Sequence, residues 1–284
     1  MTRLLRGAPV ADGLSERLAA RVRSLAERGV TPTLAIVRVG EREDDLAYER
    51  GALKRCERVG VDVRRVTLPA DCGQDVLLDA IDSLNRDDSV HGCLLLRPLP
   101  PSLDESAACA AIASEKDVDC ATDASLAGVF SGRPVGFPPC TAEAALELLD
   151  HYGVRLEGSR ACVVGRSLVI GRPVALMLLA RNATVTVCHT RTRDLADECR
   201  RADVVIACAG HPGVVGAGAV REGQVVVDVG INWDAASGRL VGDVDLDAVA
   251  PIVDAVTPVP GGVGSVTTAV LAKHVVEAAE RSCR

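Results

Sequence analysis

The feature that most constrains this chain is an alternation. Apolar runs of strand length, rich in Val, Ile and Leu, recur between segments of helical spacing. The runs lie at 33–39, 61–68, 91–96, 160–164, 184–188, 204–207 and 224–229. Between them, helical patterns are expected at 44–59, 75–84, 104–113, 142–149, 171–180 and 266–279, and Leu14, Leu18, Val22 and Leu25 share one helical face before Gly29. Near-continuous apolar strands are those buried on both faces, and strands joined through helices make parallel sheets. The expected class is therefore α/β. A Pro138-Pro139 turn suggests a boundary, giving one domain over 1–140, joined by a last helix over 268–284, and a second over 141–267.

Charge and composition narrow the function. The net charge is −7, which disfavours non-specific nucleic-acid binding, because neutralising phosphates needs a basic face. Two Phe, two Tyr and one Trp are too few for a base-stacking surface. No run reaches the ~20 apolar residues that span a bilayer. Arg3 and Arg6 are followed by no apolar block of leader type, so no secretory leader is expected. The 11 cysteines form no CxxC pair and sit mostly within apolar runs, as free thiols would in a reducing compartment. The five histidines are scattered, so no metal site is expected.

The strongest local signal is CVVGRSLVIGRP at 162–173. A strand runs into Gly165, a short loop follows, and a helix opens near Gly171-Arg172-Pro173. A helix N-terminus after a strand offers unpaired N–H groups and the positive end of a dipole, which suit a phosphate. The spacing is G-x5-G rather than G-x-G-x-x-G, so alone it also fits an ordinary βα turn. Arg166 follows the turn glycine, where a guanidinium could fork onto a phosphate. The next strand ends in Cys188-His189-Thr190-Arg191-Thr192, without the acidic residue that holds a ribose 2′-hydroxyl in NAD-preferring folds. A neutral-to-basic segment favours the 2′-phosphate of NADP, although Arg191 and Arg193 also fit a solvated loop. Further on, Pro258-Val259-Pro260-Gly261-Gly262 is too rigid and glycine-rich for helix or strand, and reads as a shaped loop or a plain turn.

Taken together, VHGCLLLRPLP (90–100), KDVD (116–119), PPCT (138–141), VVGRSLVIGRP (163–173), NATVTVCHT (182–190), ADVVIACAG (202–210), VVVDVGIN (225–232), LVGDVD (240–245) and TPVPGGVG (257–264) resemble, in order, the bifunctional methylenetetrahydrofolate dehydrogenase/cyclohydrolase family. The resemblance covers nearly the whole chain. It implies a folate-side αβα domain and a Rossmann-like NADP domain with a cleft between them, in a cytoplasmic homodimer. It implies cofactor contacts at Gly165, Arg166, Ser167, His189, Thr190 and Ile231. It further implies substrate contacts at Tyr48, Leu99, Asp119, Gly261, Gly262 and Val263, with Tyr48 flanking the pterin ring and Asp119 holding its amino and ring-nitrogen edge.

Departures from the family pattern cluster on the folate side. The pattern S-x-x-Y-V-x-x-K-x-K is here Asp45-Leu46-Ala47-Tyr48-Glu49-Arg50-Gly51-Ala52-Leu53-Lys54, so Ala52 stands at the catalytic lysine position. At ~100° per residue, position 52 shares the Tyr48 face and Lys54 points away. Arg55 returns to that face, but a guanidinium does not release its proton. The glutamine position of V-H-G-x-x-V-Q-L-P-L is Leu96, followed by Arg97, and Cys120-Ala121 replace the Gly-Phe that follows the family's aspartate. The expected activity is NADP-dependent oxidation of 5,10-methylenetetrahydrofolate with cyclohydrolase weak or lost. A paralogue acting on another C–N substrate and a non-catalytic NADP-binding protein are the alternatives.

Overall fold

A computed structural model describes residues 2–235 and 238–283. In chain order the elements are β1 (Arg3–Leu4), α1 (Gly7–Ala26), β2 (Thr33–Val39), α2 (Glu43–Val59), β3 (Asp62–Leu68), α3 (Gln74–Arg86), β4 (Gly92–Leu95), α4 (Glu105–Ala110), α5 (Asp123–Ser131) and α6 (Cys140–His151). There follow β5 (Arg160–Val164), α7 (Gly171–Ala180), β6 (Thr184–Cys188), α8 (Leu195–Arg201), β7 (Val204–Ala207), β8 (Val225–Asp228), β9 (Asn232–Asp234), β10 (Arg239–Val241), α9 (Leu246–Val249), β11 (Ala255–Val256) and α10 (Gly264–Ser282).

The chain divides into two compact units, Met1–Ala11 with Thr141–Thr267, and Asp12–Cys140 with Thr268–Arg284. The first residues thus leave the domain that the sequence suggested for them. The reason is β1: Arg3 and Leu4 pair in parallel with Ala255 and Val256 at the edge of the larger sheet.

The unit containing 141–267, the cofactor-side unit, is built on a six-stranded, all-parallel sheet in the order β1-β11-β8-β7-β5-β6. Its core is aliphatic and thiol-rich, with Cys162, Cys188, Cys199, Val205, Val226 and Val256 all fully buried. The order reverses between β5 and β7, and doubly wound sheets bind ligands beyond the strand ends at such a switch point. The unit containing 12–140, the substrate-side unit, has a three-stranded parallel sheet in the order β3-β2-β4. One core there joins Ala35, Val37 and Val39 of β2 to Leu77 and Ile81 of α3 and to Cys93 and Leu95 of β4.

The expected strands over 33–39, 160–164, 184–188 and 204–207 form over those residues. Helix α1 begins at Gly7, ahead of the first core leucine, and α4 ends at Ala110 rather than 113. Ala111 and Ile112 close α4 with turn hydrogen bonds to Ala107 and Cys109.

Candidate active site

In the cofactor-side unit the strand ends meet as bare backbone. Gly165 has φ +133°, and a Cβ there would stand 2.3 Å from the Cys208 carbonyl oxygen. A Cβ at Gly171 would lie 2.5 Å from the Gly165 oxygen, so glycine at both positions lets the two strands and α7 close up. Ser167 Oγ accepts the N–H groups of Ile170 at 3.2 Å and Gly171 at 3.3 Å, ordering the loop ahead of α7. Arg166 and Thr190 are exposed. His189 Nδ1 accepts the Arg191 N–H at 3.1 Å, and Thr192 Oγ1 accepts the His189 N–H at 2.8 Å, so the end of β6 is a tight turn. Five of the residues expected to meet a cofactor, Gly165, Arg166, Ser167, His189 and Thr190, therefore gather at the ends of β5 and β6, beside the switch point, while Ile231 lies past β8. A side-chain-free cradle with a basic rim suits a dinucleotide phosphate.

Past β8 the same unit holds a cavity of about 200 Å³ lined by Asp228, Gly230, Ile231, Leu240 and the loop from Pro258 to Ser265. Ile231, 64% exposed, lines it with Gly261, Gly262 and Val263. Gly7 donates its N–H to the Gly261 carbonyl at 2.8 Å, and a Cβ on Gly7 would lie 2.1 Å from the Gly262 oxygen. The apolar, glycine-rich wall is thereby held from behind.

Two aspartates tie this region together. Asp228 Oδ1 accepts the N–H groups of Gly230 at 2.9 Å and Asp243 at 3.0 Å, and Oδ2 accepts that of Val244 at 2.9 Å. Asp243 accepts N–H groups from Ala209, Gly210 and His211, with the last two at 2.8 and 2.9 Å, and the Asn232 amide at 2.9 Å. A Cβ on Gly230 would meet Asp243 Oδ1 at 2.2 Å, and one on Gly242 would meet Asp228 Oδ2 at 1.8 Å. Burial pushes the Asp228 carboxyl up to about 6, against the pull of those three backbone donors. The motifs VVVDVGIN and LVGDVD were visible in the sequence, but not these roles, which depend on contacts between distant loops.

In the substrate-side unit, Asp45, Glu49, Ala52, Cys56 and Val59 form the buried stripe of α2. Ala52 is 0% exposed. Lys54 is exposed, as its helical angle required. Glu49 pairs with Arg38 at 2.9 Å and Arg65 at 2.6 Å. Asp45 lies 3.9 Å from Arg42, and burial raises its carboxyl. The Tyr48 phenol is raised well above its ordinary value by burial, then by the negative fields of Asp119 and Cys140. Those three groups share one neighbourhood. Leu96 and Leu99 are buried beyond β4, and Arg97 lies 4.0 Å from Glu105.

The KDVD segment divides its tasks. Lys116 Nζ donates to the carbonyls of Leu84, Asn85 and Asp87 at 2.8, 2.9 and 2.7 Å, closing the end of α3. Asp117 accepts from Ala121, Thr122 and Ser125 and so fixes the start of α5. Asp119 is half-buried, and its Oδ1 accepts the Cys140 N–H at 3.4 Å. Burial raises its carboxyl above the usual carboxylate value, opposed by the Cys140 hydrogen bonds and by Arg97. The next residue, Cys120, sits at φ +59°, a left-handed conformation that glycine adopts without cost. Among the described residues no group of three or more His, Cys, Asp or Glu could hold a metal ion.

One unit with a doubly wound parallel sheet and a glycine-lined strand-to-helix turn, and another that holds a recessed Tyr48 and Asp119, are the parts of a two-unit dinucleotide-binding α/β protein. Residues 5–119 match the profile of the tetrahydrofolate dehydrogenase/cyclohydrolase catalytic domain, and residues 139–283 match that family's NAD(P)-binding domain. The chain belongs to the tetrahydrofolate dehydrogenase/cyclohydrolase family. It is 48% identical over 278 residues to the bifunctional protein FolD of Alkaliphilus oremlandii, covering 98% of this chain and 97% of that one. It is 50% identical over 281 residues to the FolD of Carboxydothermus hydrogenoformans, covering 99% and 98%. Among solved structures, the bifunctional FolD methylenetetrahydrofolate dehydrogenase/cyclohydrolase of Campylobacter jejuni superposes with a TM-score of 0.95 at 38% identity, covering 99% of each chain. The Trypanosoma brucei enzyme, complexed with NADP cofactor and inhibitor, gives 0.92 at 36% identity, covering 100% of this chain and 99% of that one.

Proposed function

We propose that this protein is an NADP-dependent 5,10-methylenetetrahydrofolate dehydrogenase whose methenyltetrahydrofolate cyclohydrolase activity is weak or lost. Bound NADP supplies the hydride acceptor for the substrate's methylene carbon. Gly165, Ser167 and the first turn of α7 cradle its pyrophosphate, while Arg166, His189 and Thr190 receive the 2′-phosphate. Ile231 and the loop of Gly261, Gly262 and Val263 form an apolar wall that excludes water from the nicotinamide.

Tyr48 and Leu99 flank the pterin ring, and Asp119, ionised, accepts from its amino and ring-nitrogen edge. The first step needs no base from the protein, since lone pairs on the substrate nitrogens expel the hydride and positioning is the main contribution. Hydrolysis of the methenyl cation differs. Water must lose a proton as it attacks, and general acid–base help is typically worth ~10²–10⁴-fold. The observation that carries the proposal is the buried methyl of Ala52 at the position the family pattern gives to lysine, with Leu96, 6% exposed, at that of glutamine. Lys54 is exposed and Asp45 is engaged by Arg42, which supports the absence of a replacement. The homodimer and cytoplasmic residence implied by the family resemblance are part of the same proposal.

The test uses two substrates. With NADP and 5,10-methylenetetrahydrofolate, NADPH and the methenyl compound are expected to form. The methenyl compound alone is expected to decay no faster than in buffer. Robust hydrolysis overturns the assignment of Ala52. Silence in both assays overturns the folate assignment and favours a different C–N substrate. Arg166→Ala is expected to raise KM for NADP about tenfold, in line with the loss of one charge-assisted contact, while leaving that for NAD unchanged. Equal effects would refute the 2′-phosphate contact.

A further inference from the structure

Behind Asp119 lies a group of fully buried side chains that the proposed chemistry does not use. His274, on the Thr268–Ser282 part of α10, is 0% exposed, as is Cys140. His274 Nδ1 lies 2.8 Å from the carbonyl oxygen of Val118, and Cys140 Sγ donates to the same oxygen at 3.3 Å. The thiol and the imidazole Nδ1 are 3.6 Å apart. Cys140 also gives its backbone N–H to Asp119 Oδ1.

A buried Cys beside a His invites a reading as nucleophile and base. The geometry argues otherwise. A 2.8 Å contact with a carbonyl oxygen requires Nδ1 to carry the proton, because a carbonyl only accepts. A protonated Nδ1 cannot take a proton from the thiol. Both groups instead donate to one peptide oxygen, that of the residue just before Asp119.

The ring is fixed in other ways. The Phe137 ring lies 5.0 Å from it, tilted by 30°. Arg281, seven residues further along α10 and so on the same helical face, places its guanidinium 4.1 Å from the centroid of Phe137. Arg281 Nη1 also donates to the Gly136 carbonyl at 2.9 Å. The arrangement runs from Arg281 through Phe137 and His274 to the Val118 carbonyl.

We propose that His274 is a positioning residue for substrate recognition, clamping the Val118 peptide so that the Asp119 carboxylate is held at the angle the pterin edge requires. The proposal rests on the reading of Asp119 as the group that meets the folate. It predicts that His274 acts on folate recognition and not on the cofactor. The peptide plane at Val118 sets the direction in which the Asp119 Cα–Cβ bond leaves the backbone. A swing of that plane misaligns a two-point hydrogen bond that tolerates little error.

The experiment compares His274→Leu, which removes the donor, with His274→Asn, whose amide restores a donor near Nδ1. The readouts are KM for 5,10-methylenetetrahydrofolate, kcat, NADP affinity and Tm. His274→Leu is expected to raise the folate KM at least about tenfold, the loss of roughly one well-aligned hydrogen bond, with NADP affinity and kcat near wild type. His274→Asn is expected to recover most of that loss even where Tm stays lowered. An unchanged folate KM in His274→Leu overturns the inference, as does a proportional fall in kcat, folate and NADP affinity together. Should His274→Leu fail to fold, Cys140→Ala makes the same test from the other donor to Val118. A wild-type protein that does not oxidise the folate overturns the functional reading and this inference with it. A wild-type protein that does, beside an unaffected His274→Leu, overturns this inference alone.

Discussion

At the end of β5, backbone meets backbone. Gly165 packs on the Cys208 carbonyl, Gly171 packs on Gly165, and the aspartates that hold the neighbouring loops bind N–H groups rather than other side chains, Asn232 excepted. In the substrate-side unit, the groups proposed to meet the substrate are side chains, Tyr48 on α2 and Asp119 on a loop that the Cys140 N–H holds. A site made of peptide groups and glycines tolerates almost no local change. One made of side chains can lose a single function by a single substitution while its frame stays intact, as the proposed role of Ala52 would have it. On the proposed reading, binding architecture and proton handling are separable on one side of this protein and fused on the other.

The sharpest test of that contrast restores the missing groups. Ala52→Lys with Leu96→Gln is expected to raise methenyltetrahydrofolate hydrolysis by ~10²–10⁴-fold, the usual worth of general acid–base help, with the oxidation rate little changed. Decay of the methenyl absorbance measures it. No gain in a folded, NADP-binding double variant would break the comparison.

Next in size is Gly165→Ala. The left-handed φ costs about 1–3 kcal/mol for an L side chain, before the clash with Cys208 is counted. NADP affinity should fall by at least about ten- to a hundredfold, read by fluorescence titration. Normal affinity would show that the turn does not hold the cofactor.

Asp119→Asn tests the other side. Losing a charge-assisted hydrogen bond costs about 1.5–3 kcal/mol, so the folate KM should rise roughly ten- to a hundredfold while NADP affinity holds. The pH profile sharpens it. Burial raises the Asp119 carboxyl, so it takes up a proton above the usual carboxylate range and stops accepting from the substrate. In the wild type, kcat/KM for the folate should fall as pH drops through that raised value. The variant should lack that limb.

The smallest effect concerns Asp228. Its carboxyl keeps its proton up to about 6 in the fold, whereas an unfolded aspartate releases it near 4. Between those values the folded state binds more protons, so this group's contribution to stability falls as pH rises and is constant above about 6. Across that window the denaturation midpoint of Asp228→Asn should rise more, or fall less, with increasing pH than that of the wild type. An equal slope would place the titration elsewhere.

Much of the sheet was legible because β2, β5, β6 and β7 are short apolar runs ended by glycine, proline or a polar turn. Helix α7 announced itself through Gly171-Arg172-Pro173. Strands β1 and β11, of two residues each, carry no period to detect. Helix α8 carries a local signal in its N-cap: Asp194 accepts the Asp197 N–H at 3.0 Å, ahead of an acidic first turn. Helix α5 opens in the same way at Thr122. The site residues were legible where a motif is local, as around Gly165. Asp243 and His274 were not, because each works on backbone more than thirty positions away.

The interlock of Asp228 with Gly242 and Asp243 with Gly230 has a bearing on how such a chain can drift. Each carboxylate fills the space that a side chain on the other's neighbouring glycine would take. No one of the four can change alone without either a collision or a set of stranded N–H groups, and no single second change repairs both. The quartet is therefore expected to change only as a whole, and so more slowly than the surface positions around it.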